Sequence, residues 1–327
     1  MKTFAFIGSD KNAGKTTALN YVYRQMVQSR AESELLCITS IGINGENSDS
    51  YDNKSKPSVR ILKRTAFITA GEHLSDLSGK YETLHYFQDK VFPKDYILGK
   101  ARCDFDCVIE GPNDKPGLLA TRKVLGSLRE SIICLLDGSI DRQFIGHPEV
   151  CDGIYFSLLL SDRDAQLRKA KDLLTALSLN LTEQETSLLV EKHKQDNTKS
   201  LLLSDTDGLL YHSKTVPFLD DKLKQSLQKN QNEPTTLYLN GALNQSLFKF
   251  LSSFKNLAIV LDNFTLYQNV STEMRLSTDY SLNLSLLHSV PVKKIFIKQE
   301  SWQLAQTQIS ELPMSNLFRD NPDEIRI

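Results

Sequence analysis

A short apolar run and the small-residue loop after it constrain the fold of this chain more than any other stretch. The run is Phe4 to Ile7, and Gly8 and Gly14 bracket the loop before a helical pattern begins. Proteins bind phosphate with this strand, loop and helix because backbone N–H groups and the positive end of the helix dipole face the anion. The stretch therefore predicts a phosphate-binding loop in an α/β domain.

The predicted phosphate-binding residues are consecutive: Asp10, Lys11, Asn12, Ala13, Gly14, Lys15, Thr16 and Thr17. In the pattern G-x-x-x-x-G-K-[ST] the lysine contacts the β- and γ-phosphates and the next hydroxyl ligates Mg²⁺. Lys15 is therefore a candidate catalytic residue, and Thr16 is a candidate Mg²⁺ ligand. The first glycine of the pattern would fall at Ser9, so an ordinary strand-to-helix turn remains the alternative interpretation.

A second apolar strand ends on an acidic residue and is then broken by glycine and proline, in Cys107 to Pro112. In phosphate-loop proteins such an acid lies beside the loop, where it holds Mg²⁺ or orients the attacking nucleophile. Glu110 is accordingly the candidate for both the catalytic and the Mg²⁺-binding role, and Asp106 is the second choice. A polar strand end without a chemical role is the alternative.

The chain has 327 residues, and its 39 basic residues nearly balance its 40 acidic ones. This length is sufficient for two domains. The balanced charge provides no overall field that would attract nucleic acid or an anionic membrane. No apolar stretch reaches the length of a bilayer span. We therefore expect a cytoplasmic protein without nucleic-acid or membrane partners.

Apolar runs alternate with helical patterns along the chain, which predicts an α/β fold. Over residues 1–180 we expect a doubly wound, mostly parallel sheet of the P-loop NTPase kind. Residues 181–327 are expected to form a second α/β domain of unknown role. Asp137 follows the strand-like run Ile132 to Leu136. Its predicted role is to contact a base, a ribose or a partner, or to cap the next turn.

Five pieces of the chain, in order, resemble the nucleotide-binding (ATPase) subunit of the lysine 5,6-aminomutase reactivating-factor family. They are Asp10 to Tyr21, Thr39 to Glu46, Glu110 to Pro112, Leu136 to Arg142 and Thr236 to Leu243. The resemblance implies a P-loop ATPase that acts with a second reactivase subunit to exchange a damaged cobalamin in an aminomutase. The sequence departs from the family pattern at Ser9 and at Asn44, where an aspartate is expected.

Three functional hypotheses follow. The first is a Mg²⁺-dependent ATPase whose hydrolysis drives a conformational change in a protein partner. The second is an ATP-dependent small-molecule kinase or ligase that resembles dethiobiotin synthetase. The third is a nucleotide-binding regulator or scaffold that does not hydrolyse its ligand, which the departure at Ser9 favours. ATP is expected rather than GTP, because no guanine-reading N/T-K-x-D pattern follows a strand.

Overall fold

The structure is a computed structural model. It describes residues 1–10, 13–31, 33–44, 59–128, 131–138, 147–159, 164–204, 208–215, 220–268, 270, 274, 282–297 and 314–316. The chain divides into two compact units. Unit 1 contains Met1–Asp162 and Val290–Ile327, and unit 2 contains Arg163–Ser289.

The described strands are β1 (Lys2–Gly8), β2 (Leu35–Ser40), β3 (Gly42–Asn44), β4 (Arg60–Ile61), β5 (Ala66–Ala70), β6 (Tyr81–Phe87), β7 (Tyr96–Ala101), β8 (Phe105–Asp106), β9 (Ile109–Gly111), β10 (Ile132–Asp137), β11 (Gly153–Leu158), β12 (Ser200–Ser204), β13 (Gly208–Ser213), β14 (Thr235–Leu239), β15 (Leu257–Leu261), β16 (Asn283–Leu286), β17 (Val292–Ile297) and β18 (Met314–Asn316). The described α-helices are α1 (Lys15–Ser29), α2 (Lys115–Leu128), α3 (Asp164–Leu177), α4 (Gln184–His193), α5 (Asp221–Lys229) and α6 (Gln245–Leu251). The described 3₁₀ helices span Gly71–Leu77 and Phe264–Leu266.

Unit 1 is built on a nine-stranded sheet in the order β18-β17-β11-β1-β10-β2-β5-β7-β6. Neighbouring strands from β18 to β5 are parallel, whereas β7 pairs antiparallel with both β5 and β6. All six residues of β2 are buried, as expected for a strand covered on both faces. The prediction of an α/β fold with a large, mostly parallel sheet is confirmed. The carboxyl ends of β1, β10, β2 and β5 share one edge of this sheet.

Helix α1 runs along the sheet of unit 1, between the two ends of its strands. It begins after Gly14, whose φ of 87° lies in the left-handed region that glycine adopts without strain. Its inner face buries Ala18, Leu19, Val22 and Tyr23, at the three- and four-residue steps of an amphipathic helix. At about 1.5 Å per residue, its 15 residues span roughly 22 Å. The helix therefore starts at the carboxyl ends of the strands and finishes near their amino ends.

The strand that carries Glu110 does not lie at its expected position beside the phosphate-binding loop. Strand β9 is three residues long and pairs antiparallel with β3, outside the nine-stranded sheet. A Cβ atom at Gly111 would lie 2.1 Å from the carbonyl oxygen of Ser40, so only glycine permits this approach to the end of β2. The close approach places Glu110 at the carboxyl edge near β2 and β5.

Unit 2 has a five-stranded sheet in the order β13-β12-β14-β15-β16. Strand β12 is antiparallel to both of its neighbours, and β14, β15 and β16 are parallel. The core of this unit contains Tyr238 and Phe248, both 0% exposed. A second α/β portion is therefore present.

The units do not divide at residue 180, which was the expected boundary. Unit 2 begins at Arg163, and Val290–Ile327 at the end of the chain belong to unit 1. Strand β17 pairs in parallel with β11, which carries the chain from residue 290 back into the first sheet. Ile295, Phe296 and Ile297 are 0% exposed there. In sequence, unit 2 is therefore an insertion between two adjacent strands of unit 1. Among the described helices, none has the length and apolar character needed to span a membrane.

Candidate functional site

The loop after β1 leaves the carboxyl edge of the sheet through Ser9, which is 1% exposed. The backbone N–H of Ser9 donates to the carbonyl of Ser157 at 2.9 Å, and its hydroxyl accepts from the N–H of Leu159 at 2.8 Å. Ser9 therefore continues the pairing of β1 with β11 for one more residue. This role explains why serine is suitable at the position where the phosphate-loop pattern has glycine.

The side chain of Lys15 lies back over the start of the loop. A Cβ atom at Gly8 would meet Cγ of Lys15 at 2.8 Å and Cδ at 2.9 Å. Ala13 is 1% exposed, and its N–H donates to the carbonyl of Asp10 at 3.3 Å. Gly8, one position before the expected glycine, thus provides the space that the lysine requires. The predicted residues Lys11 and Asn12 lie outside the described residues.

Thr16 lies beside a buried carboxylate. Its hydroxyl donates to Oδ2 of Asp137 at 3.5 Å, the long limit of a hydrogen bond. Asp137 is the last residue of β10, is 5% exposed and is paired in register with Phe6 of β1. Hydroxyl and carboxylate oxygens are the donors that a hard cation such as Mg²⁺ prefers. Thr17 follows in the first turn of α1 and is half-buried.

Glu110 is engaged in a separate polar cluster. It is 4% exposed; its Oε1 accepts from Nζ of Lys94 at 2.8 Å, and its Oε2 lies 2.7 Å from Nε2 of His73. Lys94 also contacts Oε1 of Glu72 at 2.8 Å. The hydrogen bonds to Glu110 and then to Glu72 raise the pKa of the Lys94 ammonium. The hydrogen bond from Lys94 lowers the pKa of Glu72.

The two predicted catalytic residues are not brought together. The N–H of Glu110 donates to Oγ1 of Thr69 on β5, and β5 is the third strand from β1. With strands about 4.8 Å apart, β5 and β1 are roughly 14 Å from each other. Lys15, Thr16 and Asp137 thus form one centre at the carboxyl edge, and Glu110 belongs to another.

The second centre has some features of a metal site. The ligand atoms of Glu72, His73 and Glu110 lie within 4.8 Å of one another. The ammonium of Lys94 bridges both carboxylates and so already balances part of their charge. An ion-pair network therefore accounts for this arrangement without a metal.

The sequence did not predict that Asp137 would lie beside Thr16. The runs Ile132 to Leu136 and Cys107 to Ile109 both end on an acid followed by glycine. Their local signals are equivalent, because both predict a buried strand with a carboxylate at its carboxyl end. Only the strand order distinguishes them, since β10 is next to β1 and β9 is outside that sheet.

No protein-family model matches this chain, and neither a curated protein nor a solved structure matches it. The resemblance to the reactivating-factor family therefore stays a prediction.

Proposed function

We propose that unit 1 is a P-loop NTPase domain that binds ATP and Mg²⁺. The observation that carries this proposal is the placement of Lys15 across Gly8 together with Thr16 beside Asp137. The loop segment from Asp10 to Thr17 would contact the phosphates through backbone N–H groups at the start of α1. Lys15 would add a charge-assisted hydrogen bond to the β- and γ-phosphates.

The proposed Mg²⁺ ligands are Thr16 and Asp137. They offer a hydroxyl and a carboxylate oxygen, both hard donors, at the end of the strand next to the loop. The bound ion would neutralise phosphate charge. Glu110, the acid expected in this role from the sequence, is held by Lys94 and His73 two to three strands away.

We expect slow ATP hydrolysis by the chain alone. The sequence predicts that Glu110 orients the attacking water, but its carboxylate contacts Lys94 and His73 instead. Stimulation by a protein partner is therefore part of the proposal. The resemblance suggests a second reactivase subunit and a cobalamin-dependent aminomutase as candidates, with cytoplasmic location.

Nucleotide binding is tested with three variants. A charge-assisted hydrogen bond contributes about 1.5–3 kcal/mol, so Lys15→Ala should weaken Mg²⁺–ATP binding by roughly 10- to 150-fold in calorimetry. Asp137→Asn should remove most of the Mg²⁺ dependence of binding. Glu110→Gln is the matched control and should leave the affinity within about twofold. Equal affinity of Lys15→Ala and the wild type would refute the proposal.

The Glu110 centre favours a second candidate function, an ATP-dependent kinase or ligase that acts on a small molecule. A polar centre formed by Glu110, His73 and Lys94 lies at the same sheet edge as the proposed phosphate site. Ligands of open α/β sheets bind at the carboxyl ends of the strands, so this centre is a suitable place for a second substrate. ADP formation, which ATP hydrolysis, a kinase and a ligase of the dethiobiotin synthetase type all produce, is measured for the chain alone, with the small-molecule fraction of a cell extract, and with its protein fraction. Stimulation by the protein fraction supports the partner-coupled ATPase, and stimulation by small molecules alone supports the kinase or ligase.

A non-hydrolysing regulator is the remaining alternative. It predicts a stoichiometric ATP complex and no ADP formation with either fraction. Phosphate release by the isolated chain that is lost in Lys15→Ala would exclude it.

A further inference from the structure

Three chain segments meet at the carboxyl edge of the unit 1 sheet around the buried carboxylate of Glu110. His73 lies in the 3₁₀ helix Gly71–Leu77, which directly follows β5. Lys94 precedes β7, and because β7 is antiparallel to β5, its amino end lies beside the carboxyl end of β5. Ligands of open α/β sheets bind at this edge, so the chemistry of these side chains bears on function.

The carboxylate of Glu110 is held in a defined orientation. Its Oε1 accepts from Nζ of Lys94 at 2.8 Å, and its Oε2 lies 2.7 Å from Nε2 of His73. The backbone N–H of Glu110 donates to Oγ1 of Thr69 at 3.2 Å, and that hydroxyl donates to the carbonyl of Val108 at 2.7 Å. Glu110 is buried, so protein contacts set the direction of its two oxygens.

The contact with Glu110 fixes the tautomer of His73. An ionised carboxylate only accepts hydrogen bonds, so Nε2 of the neutral imidazole carries the proton and Nδ1 keeps its lone pair. Within the described part of the chain, Nδ1 of His73 has no hydrogen-bond partner. The side chain is 21% exposed. Nδ1 is therefore the nitrogen that can accept a proton from a ligand.

A histidine that donates to a carboxylate has the arrangement of a general base and the group that positions it. The carboxylate orients the ring and stabilises the positive charge that develops when the other nitrogen takes a proton. Lys94 contacts Oε1 of Glu110, so Oε2 remains directed at His73. Glu72 lies 4.0 Å from Nε2 of His73, beyond hydrogen-bond distance, and contacts Lys94.

Satisfaction of the buried carboxylate is the structural explanation of the same contact. It requires a hydrogen-bond donor to Oε2 of Glu110, which the amide of a glutamine could supply as well as an imidazole. It makes no use of Nδ1 of His73. The two explanations therefore differ in what His73→Gln would do, because this variant keeps a donor and removes the base.

We propose that His73 is a general base for a small substrate that carries an amine or hydroxyl group, and that Glu110 is its positioning residue. The proton passes from the substrate to Nδ1, while Nε2 keeps its own proton in the hydrogen bond to Glu110. The electron pair stays on the substrate nitrogen or oxygen, which thereby becomes a nucleophile. This inference rests on the second candidate function, because that function supplies the small substrate.

Diethyl pyrocarbonate tests the His73–Glu110 pair without nucleotide or substrate, because it acylates the unprotonated nitrogen of a neutral imidazole. Its reaction with the full chain is followed at each histidine by mass spectrometry at about pH 8.5, where an ordinary imidazole is neutral. We expect His73 to react. Glu110→Gln should slow this reaction at least about tenfold, because the charge-assisted bond is lost and an amide can donate to Nε2, which leaves the proton on Nδ1.

Glu191→Gln is the matched control for this substitution. Glu191 is exposed, and its Oε1 lies 3.5 Å from Nε2 of His288. An exposed pair contributes little, so the rate at His288 should change by less than about threefold. An unreactive His73, or an equal rate at His73 in the wild type and in Glu110→Gln, would overturn the proposal.

His73→Gln separates the base from the structural role. The amide keeps a donor for Glu110, so the melting temperature should be nearly unchanged. The rise in ADP formation that the small-molecule fraction causes should fall at least about 100-fold, as expected for loss of a general base. A rise as large as that of the wild type overturns the proposal. If small molecules do not stimulate the wild type, the second candidate function fails and the base role fails with it, whereas the modification result reports on the His73–Glu110 pair alone.

Discussion

At the scale of single residues, the geometry of the proposed phosphate site depends more on the room and the conformations that the backbone allows than on the identity of the side chains. Gly8 leaves room for Lys15, Gly14 adopts a left-handed φ of 87°, and Ser9 pairs with β11. The departure from the phosphate-loop pattern at Ser9 is thus accommodated by a glycine one position earlier. The side chain that needs the space is the one expected to contact phosphate.

Gly8→Ala should displace Lys15. The new Cβ would lie 2.8 Å from Cγ of Lys15, so the flexible side chain must move while the sheet stays intact. We expect Mg²⁺–ATP affinity to fall about tenfold or more, through loss of a charge-assisted bond, with little change in melting temperature. Calorimetry and thermal unfolding measure the two effects.

Gly126→Ala is the control for this substitution. Gly126 is within α2, and the nearest atom to an added Cβ is Sδ of Met1 at 3.9 Å, an ordinary contact. Alanine should stabilise the helix by up to about 1 kcal/mol and leave ATP affinity unchanged. A loss of affinity in both variants, or in neither, would contradict the role given to Gly8.

At the scale of secondary-structure elements, α5 of unit 2 shows how a local signal is completed by tertiary contacts. Asp220 caps the helix by accepting from the N–H groups of Lys222 and Leu223. Its carboxylate also accepts from the hydroxyls of Tyr211 and Ser213 on β13. The cap therefore joins the helix to the neighbouring strand.

These contacts make the stability of unit 2 depend on pH. Burial favours the neutral form of Asp220, but the hydrogen bonds from Ser213, Leu223 and Tyr211 outweigh it and lower its pKa. A depressed carboxyl pKa contributes stability above the unfolded value of about 3.9 and loses it as the pH falls through the folded value. Asp220→Ala should therefore cost about 1–2 kcal/mol at pH 7 and less below pH 4.

Urea unfolding at pH 7, 5 and 3 measures this difference. Asp221→Ala is the control, because Asp221 has an 87% exposed side chain and an i,i+3 contact with Lys224. Its cost should be about 0.5 kcal/mol or less. A cost for Asp220→Ala that does not shrink between pH 7 and pH 3 would contradict the cap as described.

At the scale of the whole molecule, the chain forms two units, and unit 1 combines two segments that are separated in the sequence. Unit 1 needs β17 to cover the edge of β11, although residues 163–289 separate the two strands in sequence. Each unit buries its own aromatic core, with Phe296 in the first and Phe248 in the second. Damage to one core should therefore affect mainly that unit.

Phe296→Ala should destabilise the unit that contains the proposed nucleotide site. Removal of a fully buried phenylalanine costs about 3–5 kcal/mol. Phe248→Ala is the matched variant in unit 2, since both side chains are 0% exposed. We expect Phe296→Ala to lower the thermal transition that Mg²⁺–ATP protects, and Phe248→Ala to lower another. A single transition shifted equally by both variants would show that the units unfold together.

The α/β class, the loop after β1 and the start of α1 were predictable from the sequence by itself. Their signals are local: an apolar run, small residues where the backbone must turn, and an apolar stripe at helical spacing. The tertiary structure alone decided that Asp137 lies beside Thr16, that Glu110 pairs with Lys94 and His73, and that β17 returns to unit 1. These outcomes depend on which distant strands become neighbours. Two apolar runs that each end on an acid followed by a glycine have the same local sequence signal, and only the strand order of the sheet assigns them different positions.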